Sequence, residues 1–228
     1  MDKQRQSVAG PKTYGVIFLL MSAFVSFLII MYSINSGVEF TWEKPVQQYF
    51  QHWNYGFVHT FFMYETELGS RLVIGIAALA LMVWLLWKHK DLIGVGVVGI
   101  LVASTDRLNV FVKHLVARDR PSIDPSIDAV GYSFPSGHAM LTIVTYGLIA
   151  YFVACHMKSA GRKALVWLGA FLIVLTTGVS RVVLSAHFPS DVLAGYCLGG
   201  VCLILGIKLY RIMKDYVQHR KNKPPVEE

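Results

Sequence analysis

Six long apolar runs, most of them near the ~20 residues a helix needs to cross the hydrocarbon of a bilayer, set the main constraint on this chain. They cover roughly 14–34, 72–87, 92–112, 138–156, 164–183 and 191–209. No water serves the backbone in hydrocarbon, so such runs fold as helices that satisfy their own amides. The expected fold is all-α: a polytopic membrane protein built as a six-transmembrane-helix bundle. Composition agrees, with 54% of the 228 residues hydrophobic, 15% charged and a mean hydropathy of +0.50. Nothing is left over for a separate soluble domain, so 1–228 reads as one membrane-embedded domain.

The first run is longer than the core of a secretory signal peptide. It ends in Tyr32-Ser33-Ile34-Asn35, a poor cleavage site, and reads as an uncleaved span. Residues 37–70 are too polar for a span. Glu39, Glu43, Glu65 and Glu67 alternate there with Trp42, Tyr49, Phe50, Trp53 and Phe61, the pattern of short helices lying at the membrane interface. His52 and His59 share a helical face, but without further ligands they read as interfacial packing rather than a metal site.

The net charge of +7 would suit a nucleic-acid partner on a soluble protein. Here the cations sit in short segments between apolar runs, so the partner is the lipid bilayer and nucleic acid is excluded. The N-terminal segment, the turn at Lys88, the turn at Lys158 and the tail are all basic. Six spans put these four on one side, which the positive-inside rule makes cytoplasmic, with both termini. The opposite side holds 37–70, 113–137 and 184–190, with Lys44, Arg71, Lys113, Arg118, Arg120 and Arg181. Those cations break the bias and need another purpose. Asp106 and Arg107 lie inside the third run, where each costs about 2.5–3.5 kcal/mol to insert. They read as structural, facing the bundle interior and pairing with neighbours, Asp106 with Arg107 or with a residue of another span. Cys155, Cys197 and Cys202 all fall in apolar runs with no paired spacing, and read as buried thiols, neither disulfides nor zinc ligands.

Three stretches on the side opposite the termini carry chemistry. Gly131-Tyr-Ser-Phe-Pro-Ser-Gly-His138 reads as a tight turn into a helix, with Ser136 as N-cap and Pro135 and Gly137 shaping the turn. The first amides of such a helix, at Ser136, Gly137 and His138, lack partners and favour an anion. Before it stands Lys113-x6-Arg120-Pro121; after it, Ser180-Arg181-x5-His187-x3-Asp191. Lys113, Arg120 and Arg181 supply fixed cations, and the arginines suit bidentate phosphate binding. Asp191 follows His187 at the spacing that lets a carboxylate orient an imidazole, which makes His187 the better nucleophile candidate. Arg118 and Asp119 read as loop surface. Tyr132, Phe134 and Phe188 are expected to line the site or face acyl chains.

Taken together, the pattern Lys-x6-Arg-Pro, Pro-Ser-Gly-His, Ser-Arg-x5-His-x3-Asp resembles the signature of the type-2 phosphatidic acid phosphatase superfamily, in its bacterial integral-membrane branch. Every defining position is matched, across 113–191. The resemblance implies a metal-independent phosphatase without a cofactor. It further implies a phosphohistidine on His187, His138 as general acid and then base, and Lys113, Arg120, Ser136, Gly137 and Arg181 around the phosphate. The substrate expected is a phospholipid or polyprenyl phosphate at the outer face of the cytoplasmic membrane. Phosphatidylglycerophosphate comes first, then phosphatidic acid, with undecaprenyl diphosphate as the alternative. A transporter or scaffold with a relic phosphate site is the reading from a different class, and it leaves His138, His187 and Asp191 without a purpose.

Overall fold

Four of the apolar runs close into helices whose first amides are met by a short polar side chain. Ser70 accepts from Val73 N, Asp91 from Gly94 N, Ser136 from Ala139 N and Ser159 from Arg162 N. The computed structural model describes residues 11–121 and 131–221. Its helices are α1 (Pro11–Asn35), α2 (Glu43–Gln51), α3 (Gly56–Glu65), a 3-10 turn (Thr66–Gly69), α4 (Arg71–His89), α5 (Leu92–Val116), α6 (Gly137–Cys155), α7 (Ala160–Val183) and α8 (Pro189–Lys221). Six of them, α1 and α4–α8, are long and apolar enough to cross a membrane. The architecture is all-α, with α2, α3 and the 3-10 turn between the first two spans, as expected. The expectations for the N-terminal segment 1–10, for 122–130 and for the tail 222–228 lie outside the described residues.

Boundaries moved where tertiary contacts extend a helix. α5 continues past 112 to Val116, with Ala117 closing it in the left-handed conformation at φ 50°. Lys113 therefore sits on the last turn of a span rather than in a loop. α8 continues well past 209 because its extension has partners. Tyr210 Oη and Lys214 Nζ both donate to Asp91 Oδ2, each at 2.7 Å. Burial works to raise the Asp91 carboxyl, and the hydrogen bonds from Lys214, Tyr210 and Gly94 overcome it and hold the group below its ordinary value.

α6 is the central element. It packs against α4, α5, α7 and α8, and 67% of its apolar stretch is buried, against 6% for α1. At one end of the bundle Leu85, Val98, Leu148 and Phe152 form the core; at the other, Phe27 of α1 stacks on Phe134 with ring centroids 5.9 Å apart. The outward faces of α1, α4 and α7 expose Phe18, Leu79 and Phe171 among many others, the surface a bilayer covers.

Three local expectations are corrected. Arg107 is exposed rather than turned to the bundle interior, while Asp106 takes a partner on another span, Arg71 of α4, Nε to Oδ1 at 3.0 Å. Phe134 is a core residue with no exposed surface, because the turn folds it inward against α1. Cys155 is exposed at the end of α6, while Cys197 and Cys202 are half-buried; all three are free thiols.

Candidate active site

The three motif-bearing stretches meet at one end of the bundle through backbone contacts. Ser133 N donates to Arg118 O at 2.8 Å, and Ser136 N donates to Asp191 O at 2.9 Å. Arg120 Nη1 donates to Ala186 O at 2.8 Å. Asn109 of α5 pins the turn from behind, its Nδ2 donating to Pro135 O at 3.2 Å. The 3-10 turn closes the remaining side. A Cβ on Gly69 would lie 2.7 Å from the His138 ring and 2.6 Å from Thr177, so glycine is required for that approach.

These elements enclose a cavity of about 250 Å³ lined by Lys113, Arg120, Gly137, His138, Arg181 and His187, with Glu67, Arg71, Asp106 and Asn109 on the wall. Six of the eight residues expected at the site thus share one cavity. Ser136 and Asp191 do not line it; both are fully buried behind the wall. Ser136 Oγ accepts from Ala139 N at 3.4 Å and so caps α6, while Asp191 stands behind His187.

His187 bridges the two zones. Its Nε2 lies 3.3 Å from Arg120 Nη1 and its Nδ1 lies 3.5 Å from Asp191 Oδ2. Burial, and then the positive charges of Lys113, Arg181 and Arg120, push the His187 ring well below the ordinary histidine range. A ring so placed is neutral at physiological pH, with an unprotonated nitrogen available toward the cavity once the carboxylate side holds the proton. Arg181 is buried and donates from Nη1 to Thr66 Oγ1 at 2.8 Å. Lys113 Nζ donates to the carbonyls of Tyr132 and Ser133. Cations fixed in this way around a cavity are poised for an anion whose charge spreads over several oxygens.

The surface reading of Arg118 is overturned. Its guanidinium is largely enclosed, donating at 2.7 Å to Asp191 Oδ1, at 2.8 Å to Ser190 Oγ and at 2.8 Å to Glu43 Oε2. It also lies over the Phe188 ring, 3.9 Å from the centroid. Asp119 is exposed, and contributes its carbonyl to Ser133 Oγ at 2.9 Å. Sequence reasoning also missed Glu43, Thr66, Arg71 and Asn109. The excess of cations on this side pointed to Arg118, and Asn109 lies one helical turn before Lys113. No local signal separates Glu43, which is 4% exposed, from Glu39, which pairs with Lys44 in the open.

Comparison with known proteins places this geometry. A family model described as the PAP2 superfamily matches residues 92–214. The chain is 41% identical over 106 residues to phosphatidylglycerophosphatase B of Bacillus subtilis (strain 168), covering 46% of this chain and 52% of that one. It therefore spans about half the length of that curated relative. A putative undecaprenyl-diphosphatase of Escherichia coli (strain K12) is 28% identical over 163 residues, covering 63% of this chain and 74% of that one. The crystal structure of a transmembrane PAP2-type phosphatidylglycerolphosphate phosphatase from Bacillus subtilis superposes with a TM-score of 0.67 at 27% identity. That superposition covers 92% of this chain and all of the other, so the six apolar helices correspond to those of a multi-pass membrane protein.

Proposed function

The chain belongs to the PAP2 superfamily, and on that premise we propose that it is a membrane lipid phosphate phosphatase acting on a phosphomonoester. Phosphatidylglycerophosphate is the first substrate and phosphatidic acid the second. The observation that carries the reading is the placement of His187. One ring nitrogen faces a cavity holding Lys113, Arg120, Arg181 and His138, and the other faces Asp191.

In the proposed reaction Nε2 of neutral His187 attacks phosphorus while the bond to the lipid oxygen breaks. Asp191 holds the Nδ1 proton and stabilises the charge that develops on the ring. His138, at the first turn of α6, gives its proton to the departing alkoxide. It then takes one from water, which attacks the phosphohistidine, releases phosphate and restores both rings. Lys113, Arg120 and Arg181, with the amide of Gly137, stabilise the equatorial oxygens. The hydroxyl of Ser136 adds support from behind, through its cap on α6.

The whole chain acts as one membrane-embedded phosphatase domain. Its termini are cytoplasmic and its site faces outside. The basis is the charge of the turns: Lys88, Lys90, Lys158, Arg162 and Lys163 lie at the end of the bundle away from the cavity. The cavity holds a phosphate headgroup but not acyl chains, so the tails of a lipid substrate stay among the outward-facing side chains.

The test is phosphate release by purified protein in detergent with EDTA present. Phosphatidylglycerophosphate, phosphatidic acid and undecaprenyl diphosphate are run in parallel, with His187→Ala as control. Release that survives EDTA and vanishes in the variant supports the histidine mechanism. Fastest release from undecaprenyl diphosphate moves the assignment to the second reading, which the similarity to the Escherichia coli protein favours. No release from any lipid overturns it.

A further inference from the structure

The segment between the first two spans reaches the nucleophile. Glu43 opens α2, and both of its carboxylate oxygens are occupied. Oε2 accepts from Arg118 Nη2 at 2.8 Å; Oε1 accepts from Ser190 N at 3.4 Å and from the Ser190 hydroxyl. Arg118 Nη1 passes on to Ser190 Oγ at 2.8 Å and to Asp191 Oδ1 at 2.7 Å. The remaining oxygen, Asp191 Oδ2, accepts from Phe188 N at 3.0 Å and faces His187 Nδ1 at 3.5 Å. Charge alternates along this row: Glu43, Arg118, Asp191, then the imidazole. Arg118 does not line the catalytic cavity.

We propose that Arg118 and Glu43 are positioning residues for His187, acting through Asp191. The proposal rests on the phosphatase reading above and extends it to a residue, Glu43, outside the part of the chain matched by the family model. The physical argument is one of competing attractions. Asp191 is a buried carboxylate near a cavity that holds Lys113, Arg120 and Arg181. Left alone, it would turn toward those cations. Arg118 pulls Oδ1 the other way in a dry setting, where such a pair is strong, and this leaves Oδ2 for the ring. Glu43 in turn occupies the second amino group of Arg118, which otherwise would swing toward a bound phosphate.

The groups facing His187 are Lys113 of α5, His138 of α6, Arg181 of α7, Arg118 and Arg120 of the α5–α6 connection, and Asp191 of α8. All except Arg118 stay in place in the Glu43 and Arg118 single variants, which makes the sign of the effect specific. Removing the charge of Arg118 leaves Asp191 less compensated and favours a protonated His187. Removing that of Glu43 leaves Arg118 less compensated and disfavours it.

The experiment uses the full chain in detergent with Glu43→Gln, Glu43→Asp, Arg118→Lys and Arg118→Gln. Glu43→Gln and Arg118→Lys are expected to lower kcat by about 10- to 100-fold, the range seen for the outer partners that orient metal-bound histidines. KM should stay unchanged, and Glu43→Asp should recover part of the loss. The acid limb of the pH–rate profile should move to lower pH in Glu43→Gln and to higher pH in Arg118→Gln. In an Asp191→Asn background, Glu43→Gln should cost nothing more. Nitrogen-15 spectra of the histidine rings, assigned by His187→Gln, should show His187 in one tautomer in the wild type and in a mixture in Glu43→Gln and Arg118→Lys. Wild-type kcat in both of those variants overturns the proposal. So does a lower melting temperature with the His187 tautomer unchanged, which would make the network a fold staple. The ring spectra need no substrate, so they decide the matter even if every lipid assay fails and the phosphatase reading falls.

Discussion

Gly195 of α8 stands against the first turn of α6 so closely that a Cβ there would lie 2.7 Å from the Ser136 carbonyl oxygen and 3.0 Å from Ala139 Cβ. This contact sets the distance between the helix that carries His138 and the helix that begins just after His187. The Ser136 carbonyl is backbone and Ala139 Cβ is fixed directly to it, so neither can yield as a long flexible side chain would. Gly195→Ala is therefore expected to cost about 1–3 kcal/mol, the range for overpacking, and to lower activity as well. Gly200→Ala is the control, since its Cβ meets only Ile143 Cδ1 at an ordinary 3.7 Å. Equal melting temperatures and rates for the two variants would show that the close approach carries no weight.

His138 stands at the cavity edge on α6, where a departing oxygen would take its proton. His138→Asn is expected to lower kcat by roughly 10²–10⁴-fold on a lipid monoester. The loss should shrink on p-nitrophenyl phosphate, whose leaving group departs without a proton. An equal loss on both substrates would assign His138 to phosphate binding instead.

Protonation of His187 should weaken the fold. Burial and the neighbouring cations hold the folded ring well below its unfolded value. Below about pH 6.5 the unfolded chain binds a proton that the folded chain refuses, so stability falls as pH falls. Melting temperature should decline from pH 7 to pH 5, and less steeply in His187→Gln. Parallel slopes in the two proteins would remove His187 as a cause.

Glu65 has the opposite sign. Burial raises its carboxyl above the ordinary value, although Thr176 and Thr177 donate to Oε1 at 2.6 and 2.9 Å. The group contributes full stability below its unfolded value, and that contribution is lost as pH rises through the folded one. Glu65→Gln keeps the acceptor and removes the charge, so it should melt above the wild type at pH 8 and no higher at pH 4. A lower melting point at pH 8 would mean that the ionised carboxylate is favoured.

The Arg71–Asp106 pair sits on the cavity wall with Arg71 largely exposed. Its contribution to stability is small on that ground. Its effect on charge is direct, because Asp106→Asn frees a cation on the wall of the proposed phosphate site. Inhibition by inorganic phosphate should strengthen by a few-fold in Asp106→Asn and weaken in Arg71→Gln. Unchanged inhibition in both variants would place the pair outside the field felt by the substrate.

The chain by itself determined the class of fold and named six of the residues that line the cavity. Apolar runs of bilayer length leave the backbone no option but helix, and the turns announce themselves through Ser70, Asp91, Ser136 and Ser159 at the caps. Lys113, Arg120, Gly137, His138, Arg181 and His187 were legible because the groups that the proposed phosphate chemistry needs are confined to short stretches. Only the tertiary structure decided that Arg118 is enclosed, that Asp106 answers to Arg71, and that Glu43 rather than Glu39 is buried against Arg118. The reason is physical. Helix periodicity and capping act over a few residues, so they can be read along the chain. The partner of a charged group is set by which helices pack side by side, and here the partner lies 35 positions away for Asp106 and Arg71, 75 for Arg118 and Glu43 and 123 for Lys214 and Asp91.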